Sequence, residues 1–252
     1  MSVAEKSVIS AENAQTIFEN QQRVHDAALS KGYQDGLSQG YEDGYDIGYT
    51  VGSIPILCLT KTEGIWQEAI FPENTELVLR FDKVRTPHQL FKNAKNIKSV
   101  KLVAPGSASY SLQEFIRGCE TVEIIDFTEY NVKPTSIYMA FYFARKLKSI
   151  LGALDLSECT ITTYAFDGNN GLLEDIEFVP NTIKLSISFS AHKLLTNKSK
   201  QSIFDGLATV ETAQTLTLHA NLKILQSQVD SANAKGWTVV GGTVVSEEEY
   251  YG

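Results

Sequence analysis

Positive charge is in short supply: 22 Lys and Arg stand against 30 Asp and Glu in 252 residues, a formal charge of −8. The deficit sits at the ends. Residues 1–53 hold 3 basic against 8 acidic residues (−5), residues 246–252 hold three glutamates (−3), and the 192 residues between balance at 19 against 19. Such a chain lacks the counterion-releasing surface that nucleic acid or anionic lipid requires, so neither is an expected partner. Cysteine is scarce too. Cys58, Cys119 and Cys159 show no C-x-x-C spacing, which argues for small buried residues rather than a metal or redox pair. His25, His88, His192 and His219 stand far apart without a ligand-spaced neighbour. There is no G-x-S-x-G elbow, phosphate loop or dinucleotide fingerprint, so no catalytic residue, metal or cofactor is expected. No apolar run is long enough to span a bilayer, and the opening MSVAEKSVISAENAQ has no basic region leading into an apolar core; the expectation is a chain with no membrane insertion and no cleaved signal.

What the sequence does have is a period. It reads LFKNAKNIKSVKL from Leu90, EFIRGCETVEIIDF from Glu114, AFYFARKLKSI from Ala140 and AFDGNNGLLEDIEF from Ala165. An aromatic, a small residue and an apolar-x-x-apolar-x-apolar run recur. The apolar runs open at Ile97, Val122, Leu147 and Leu173, in steps of 25, 25 and 26 (122−97, 147−122, 173−147). A fixed period of this length is the mark of an α/β solenoid whose units each supply a short strand and a turn or short helix. Ala94, Cys119 and Ala144 then superpose where the coil is tightest, with Asn170 in the last clear unit. Phe91, Phe115, Phe141 and Phe166 are expected to form an inner aromatic column. Val100-Lys101-Leu102, Ile125-Asp126-Phe127 and Ile176-Glu177-Phe178 alternate as half-buried strands do. The fourth unit carries an extra Leu151-Gly152-Ala153, leaving either Ile150 or Leu154-Asp155-Leu156 as its rung.

The frame [AL]F-x-x-[AC]-x-x-[LI]-x-x-[IV], over roughly residues 75 to 190, resembles the BspA-like class of leucine-rich repeats found on bacterial surfaces and in bacteriophage-encoded proteins. The stretch from Leu194 to Trp237 resembles the closing unit of such phage proteins. The resemblance implies a display scaffold; binding is a property of the particular face, not of the scaffold.

Ahead of the repeats, residues 10 to 30 read as a helix with Ser10 as N-cap and an apolar stripe of Ala14, Ile17, Phe18, Val24 and Ala28 that includes Gln21. It either lies on its own domain or forms a seam between chains. Gly32, Gly36, Gly40, Gly44, Gly48 and Gly52 follow at an unbroken spacing of four, with Tyr33, Tyr41, Tyr45 and Tyr49 beside them. As a helix, this row lets another backbone approach closely, at a propensity cost of about 5–6 kcal/mol relative to alanine that packing must offset. The alternative is a flexible linker. Residues 54–72 read as strands and a turn capping the repeats. At the other end come a helix from Leu194 to Leu207 capped by Thr196 or Asn197, a strand at Leu216-Thr217-Leu218, a helix from Leu222 to Lys235 and a last strand at Trp237 to Val240.

The chain therefore divides into 1–53 (helical, attachment and oligomerisation), 54–245 (leucine-rich-repeat body with terminal caps) and 246–252 (acidic solvated tail). Two ladders face outward from the strands: Arg80, Lys101, Asp126, Asp155 and Glu177, running from positive to negative, and Lys98, Glu123, Lys148 and Glu174, alternating in sign. The first is the candidate binding face and the second structural. The absence of catalytic motifs makes a non-enzymatic protein the expectation, the N-terminal segment adds that of a homo-oligomer, and the resemblance implies the setting, a bacteriophage virion in which the chain belongs to a tail, baseplate or head fibre. Its N-terminal segment would contact other virion proteins and its repeat body a host surface protein or glycan. The alternative is a bacterial cell-surface or host-interaction leucine-rich-repeat adhesin exported by a route without a cleaved signal, and the alternative locations are the bacterial cell surface or the cytoplasm.

Overall fold

A computed structural model of the chain describes residues 45–48, 56–59, 66–81, 87–103, 110–130, 132–168 and 171–252. The helix expected at 10–30 and most of the glycine ladder lie outside the described residues. The elements are β1 (Tyr45–Gly48), β2 (Ile56–Leu59), β3 (Ile70–Phe81), β4 (Lys95–Val103), β5 (Tyr110–Ser111), β6 (Ile124–Glu129), β7 (Pro134–Ser136), β8 (Ser149–Leu154), β9 (Asp175–Phe178) and β10 (Ile187–Phe189). They continue as α1 (Asn197–Gly206), β11 (Gln214–Leu218), β12 (Lys223–Leu225), α2 (Gln226–Ala234), β13 (Trp237–Val240), β14 (Thr243–Val245) and α3 (Glu247–Tyr251). One expectation is corrected at once and another refined. The described part of the glycine ladder, Tyr45–Gly48, is a strand paired antiparallel to β2, not a helix, and it joins the sheet of the repeats across the boundary drawn at residue 53. The acidic tail is exposed at residues 246–249, Tyr251 and Gly252 as expected, but it is anchored and not free: Tyr250 is buried, and Asn197 donates its side-chain amide to the Tyr250 carbonyl at 2.7 Å.

The main sheet runs β1-β2-β3-β4-β6-β8-β9, and from β2 onward every pair is parallel. Its register realises the 25-residue period. Leu77, Val100, Ile125, Ile150 and Ile176 stand opposite one another as a buried column, each covering the apolar surface that its neighbour could not bury alone. In the fourth unit both candidate rungs are used. Ile150 pairs with Ile125 and Ile176, while Leu154 pairs with Phe178, so Leu151-Gly152-Ala153 is expelled as a bulge between them. Gly152 makes that bulge with φ +89°, and a Cβ there would lie 2.8 Å from the Phe127 carbonyl carbon. Gly152→Ala is expected to cost about 2 kcal/mol in urea unfolding, because left-handed strain and a backbone clash coincide. A cost below about 0.5 kcal/mol would mean that the bulge can slide.

At the opposite edge of each unit the chain turns, and the turns stack through their own backbone ladder. The N–H groups of Gln89, Phe91 and Asn93 donate to the carbonyls of Gln113, Phe115 and Arg117. Those of Glu114, Ile116 and Gly118 donate to Tyr138, Ala140 and Tyr142, and those of Met139, Phe141 and Phe143 to Thr163, Ala165 and Asp167. Intervening amides close tight turns within their own unit, as Ala94 to Phe91, Cys119 to Ile116 and Ala144 to Phe141. This geometry needs left-handed backbone at two places per unit: Gln89, Glu114, Met139 and Tyr164 at one, Asn93, Gly118, Phe143 and Gly168 at the other.

The turn bonds also fix the aromatic column, and here the expectation is wrong by one position. Ile116, not Phe115, is the equivalent of Phe91 and Phe141; Phe115 occupies the place of Leu90 and Ala140. Its ring fits because Ala140 in the next unit is small, and it packs on Phe91 at 5.9 Å and Phe127 at 6.1 Å. The column also extends beyond the expected residues. Trp66 stacks on Phe91 (5.2 Å, 9°), and Phe166 stands between Phe141 (5.3 Å) and Phe189 (4.8 Å). Trp66 and Ala69 thus repeat the Phe91 and Ala94 pattern, so the segment read as a cap is itself a unit.

The far end is closed by helix. Thr196 is the N-cap of α1, and the α1 hydroxyls of Ser199 and Ser202 accept the N–H groups of Ile176 (3.0 Å) and Phe178 (2.8 Å) on β9. A second parallel sheet, β10-β11-β13, continues the stack beyond. No helix among the described residues is long and apolar enough to cross a membrane.

Candidate binding surface

The strand ladder singled out in the sequence does not form one row. Lys101 and Asp126 are direct neighbours, with Val78 and Leu151 on either side of them. Arg80 stands opposite Val103, two residues along the strand from Lys101. Asp155 lies past the end of β8, where its carboxylate accepts the Ser157 N–H. Glu177 falls beside the bulge. The charges, moreover, are engaged with one another. Lys101 bonds Glu129 and lies 3.7 Å from Asp126, and Glu177 is held by Lys198 of α1. The bond to Glu129 raises the Lys101 ammonium above its ordinary range. Of the five ladder residues, Lys101, Asp126 and Glu177 are thus drawn into local ion pairs. In the alternating ladder Lys148 pairs with Glu123 at 2.9 Å, as opposite charges on adjacent units should, while Lys98 turns to Glu76 at 3.1 Å.

The turn corner of the third to fifth units presents different chemistry. Tyr142 and Phe143 meet edge to face at 4.3 Å, Tyr164 lies 6.3 Å from Tyr142, and Phe143 and Tyr164 are 37% and 50% exposed. Two cations lie over the rings: Arg117 above Tyr142 at 5.9 Å and Arg145 above Phe143 at 5.5 Å. Arg117 is steadied by Glu114 at 2.8 Å, and Arg145 reaches Glu120 at 3.6 Å.

Glu114 beneath this corner is itself a structural hub. Burial alone would raise its carboxyl, but bonds from Lys92, Arg117 and Gln89 hold it down to about 2. His192 is fully buried, with Nε2 at 2.9 Å from the Phe166 carbonyl and therefore donating to it, while Nδ1 has no partner. Burial pushes its pKa down to about 4. Burial likewise raises the Cys119 thiol, which donates to the Phe91 carbonyl. Among the described residues no three His, Cys, Asp or Glu side chains gather in a way that could hold a metal ion.

The sequence reading missed Tyr142, Phe143, Tyr164, Arg117 and Arg145. The available signal was Phe141-Tyr142-Phe143, three consecutive aromatics of which only the first fits the buried column. Compared with known proteins, the chain matches no family model, no curated protein and no solved structure.

Proposed function

We propose that this chain is a BspA-like leucine-rich-repeat solenoid acting as a non-catalytic display protein of a bacteriophage virion, in a tail, baseplate or head fibre, where it takes part in host-surface recognition. The carrying observation is the 25-residue register, expressed both in the strand column and in the turn ladder. A stack bonded through its backbone on two sides holds surface side chains in fixed relative positions, so little ordering is left to oppose binding. A binding role is further supported by where the perturbed groups are used: Glu114 braces turns, His192 bonds a neighbouring turn, and Cys119 fills the tight corner. The virion setting rests on the family resemblance. Residues 1–53, with Gly32, Gly36, Gly40, Gly44, Gly48, Gly52, Tyr41, Tyr45 and Tyr49, are assigned to self-association and attachment to other virion proteins. Of the ladder only Tyr45–Gly48 falls among the described residues.

Mass spectrometry of density-purified phage particles is the deciding measurement. Peptides from both 1–53 and the repeat body are expected at a stoichiometry of several copies per particle. Their absence from particles, with recovery in the bacterial envelope fraction, would replace the virion reading by that of a surface adhesin.

A further inference from the structure

We infer that the exposed corner formed by Tyr142, Phe143, Tyr164, Arg117 and Arg145 is a carbohydrate site for an acidic polysaccharide, a deepening that rests on the host-recognition reading above. Three observations converge on it. Phe143 is held at φ +57° in a column otherwise occupied by Asn93, Gly118 and Gly168, residues that tolerate the left-handed region, whereas a bulky aromatic there is an outlier. Room for its ring is kept by Gly168, whose Cβ would lie 2.8 Å from it. The strain therefore serves to project an aromatic outward rather than to pack one inward, as backbone strain at ligand sites does.

Charge supplies the second observation. The chain carries −8 overall, yet the corner and its flank bring Lys92, Lys95, Arg117, Arg145 and Lys146 against Glu114, Glu120 and Asp167, while Glu123 beside Lys146 is already paired with Lys148. This local excess of cations, set on and beside rings, complements carboxylate or phosphate groups carried on a sugar whose C–H faces lie on the aromatics. The third observation separates a saccharide from a peptide. The corner's backbone is already spent in the turn ladder, Gly118 N–H on the Tyr142 carbonyl, Phe143 N–H on that of Asp167 and Tyr142 N–H on that of Met139. An extended peptide finds no free main-chain edge to add to, so recognition must proceed through side chains.

The test is affinity electrophoresis of the full chain in native gels cast with polygalacturonate, polyglycerol phosphate, neutral dextran or poly-glutamate. Retardation by at least one of the two acidic carbohydrate polymers is expected, weakened about tenfold by Phe143→Gly and by Arg145→Glu. Phe143→Gly is the informative variant, because glycine suits the left-handed backbone and the melting temperature should not fall while binding does. No retardation by either acidic polymer, or equal retardation of wild type and variants, overturns the site. Retardation by poly-glutamate as strong as by the carbohydrates overturns the saccharide assignment in favour of bare charge, and equal retardation by dextran overturns the acidic one. Full cell attachment by Phe143→Gly would remove this site and leave the host-recognition reading standing, whereas loss of attachment by the wild type would remove that reading itself.

Discussion

Phe166→Ala is expected to destabilise the full-length protein by about 3–5 kcal/mol, the range for emptying a buried aromatic site. Phe166 has the most demanding place in the aromatic column: its ring is buried and lies nearly parallel to Phe141 on one side (13°) and to Phe189 on the other (25°). Alanine would remove two stacked ring contacts and the edge contact with His192 at once, and leave a void that neither stacked neighbour can fill, since each is held in its own unit by the backbone ladder. Its carbonyl, which receives the His192 ring nitrogen, would remain, so the loss reads packing rather than hydrogen bonding. Chemical denaturation at neutral pH measures it. A loss below about 1 kcal/mol would show that the units can close up, and would sink the account of a stack fixed by its turns.

Acidification should weaken the fold well before the carboxylates titrate. His192 is neutral in the folded chain down to about pH 4, whereas in the unfolded chain it takes up a proton near 6.5. Its folded pKa is depressed, so its contribution is complete above pH 6.5 and is lost as the pH falls towards 4. Integrated from pH 7.5 to 4, the loss is about 3 kcal/mol. Glu114 adds its own window lower down, from 4.5 towards 2, because its folded carboxyl is depressed as well. Urea midpoints across the upper window should therefore slope for the wild type and flatten for His192→Gln, which keeps an amide N–H donor but does not titrate. Parallel slopes for the two proteins would refute the assignment to His192.

The strand column was largely legible in the sequence because β-sheet burial acts on every second residue and the units repeat at nearly constant length: Val100, Ile125 and Ile176 align by counting, while the extra Leu151-Gly152-Ala153 left the fourth rung open between Ile150 and Leu154-Asp155-Leu156. The offset of Phe115 was not legible. Residue type marks the column only while each column keeps its type, and a Phe115–Ala140 exchange of volume between neighbouring columns conserves packing while breaking that pattern. The Trp66 unit was hidden in the same way, by an aromatic of another kind. Burial of Tyr250 depends on Asn197 and Gln228, 53 and 22 residues away, and leaves no local trace in Ser-Glu-Glu-Glu-Tyr-Tyr-Gly. The strand charges were assigned to the correct side of the strands in Lys101 and Asp126, but which carboxylate each lysine reaches depends on the register across units, and no single unit records that register.

The hydroxyls of Ser199 and Ser202 have a consequence for how such a chain can change size. They occupy the last strand's amides with side chains, so the sheet is brought to an end by α1 and not by any property of the units before it. A unit duplicated between β4 and β6 would meet the same neighbours on both sides, and the terminal closure would be untouched. Each such duplication would add about 4.8 Å, the spacing between neighbouring strands. Reach is thereby a quantity that evolution or a designer can adjust in steps of 25 residues, independently of what the exposed corner binds.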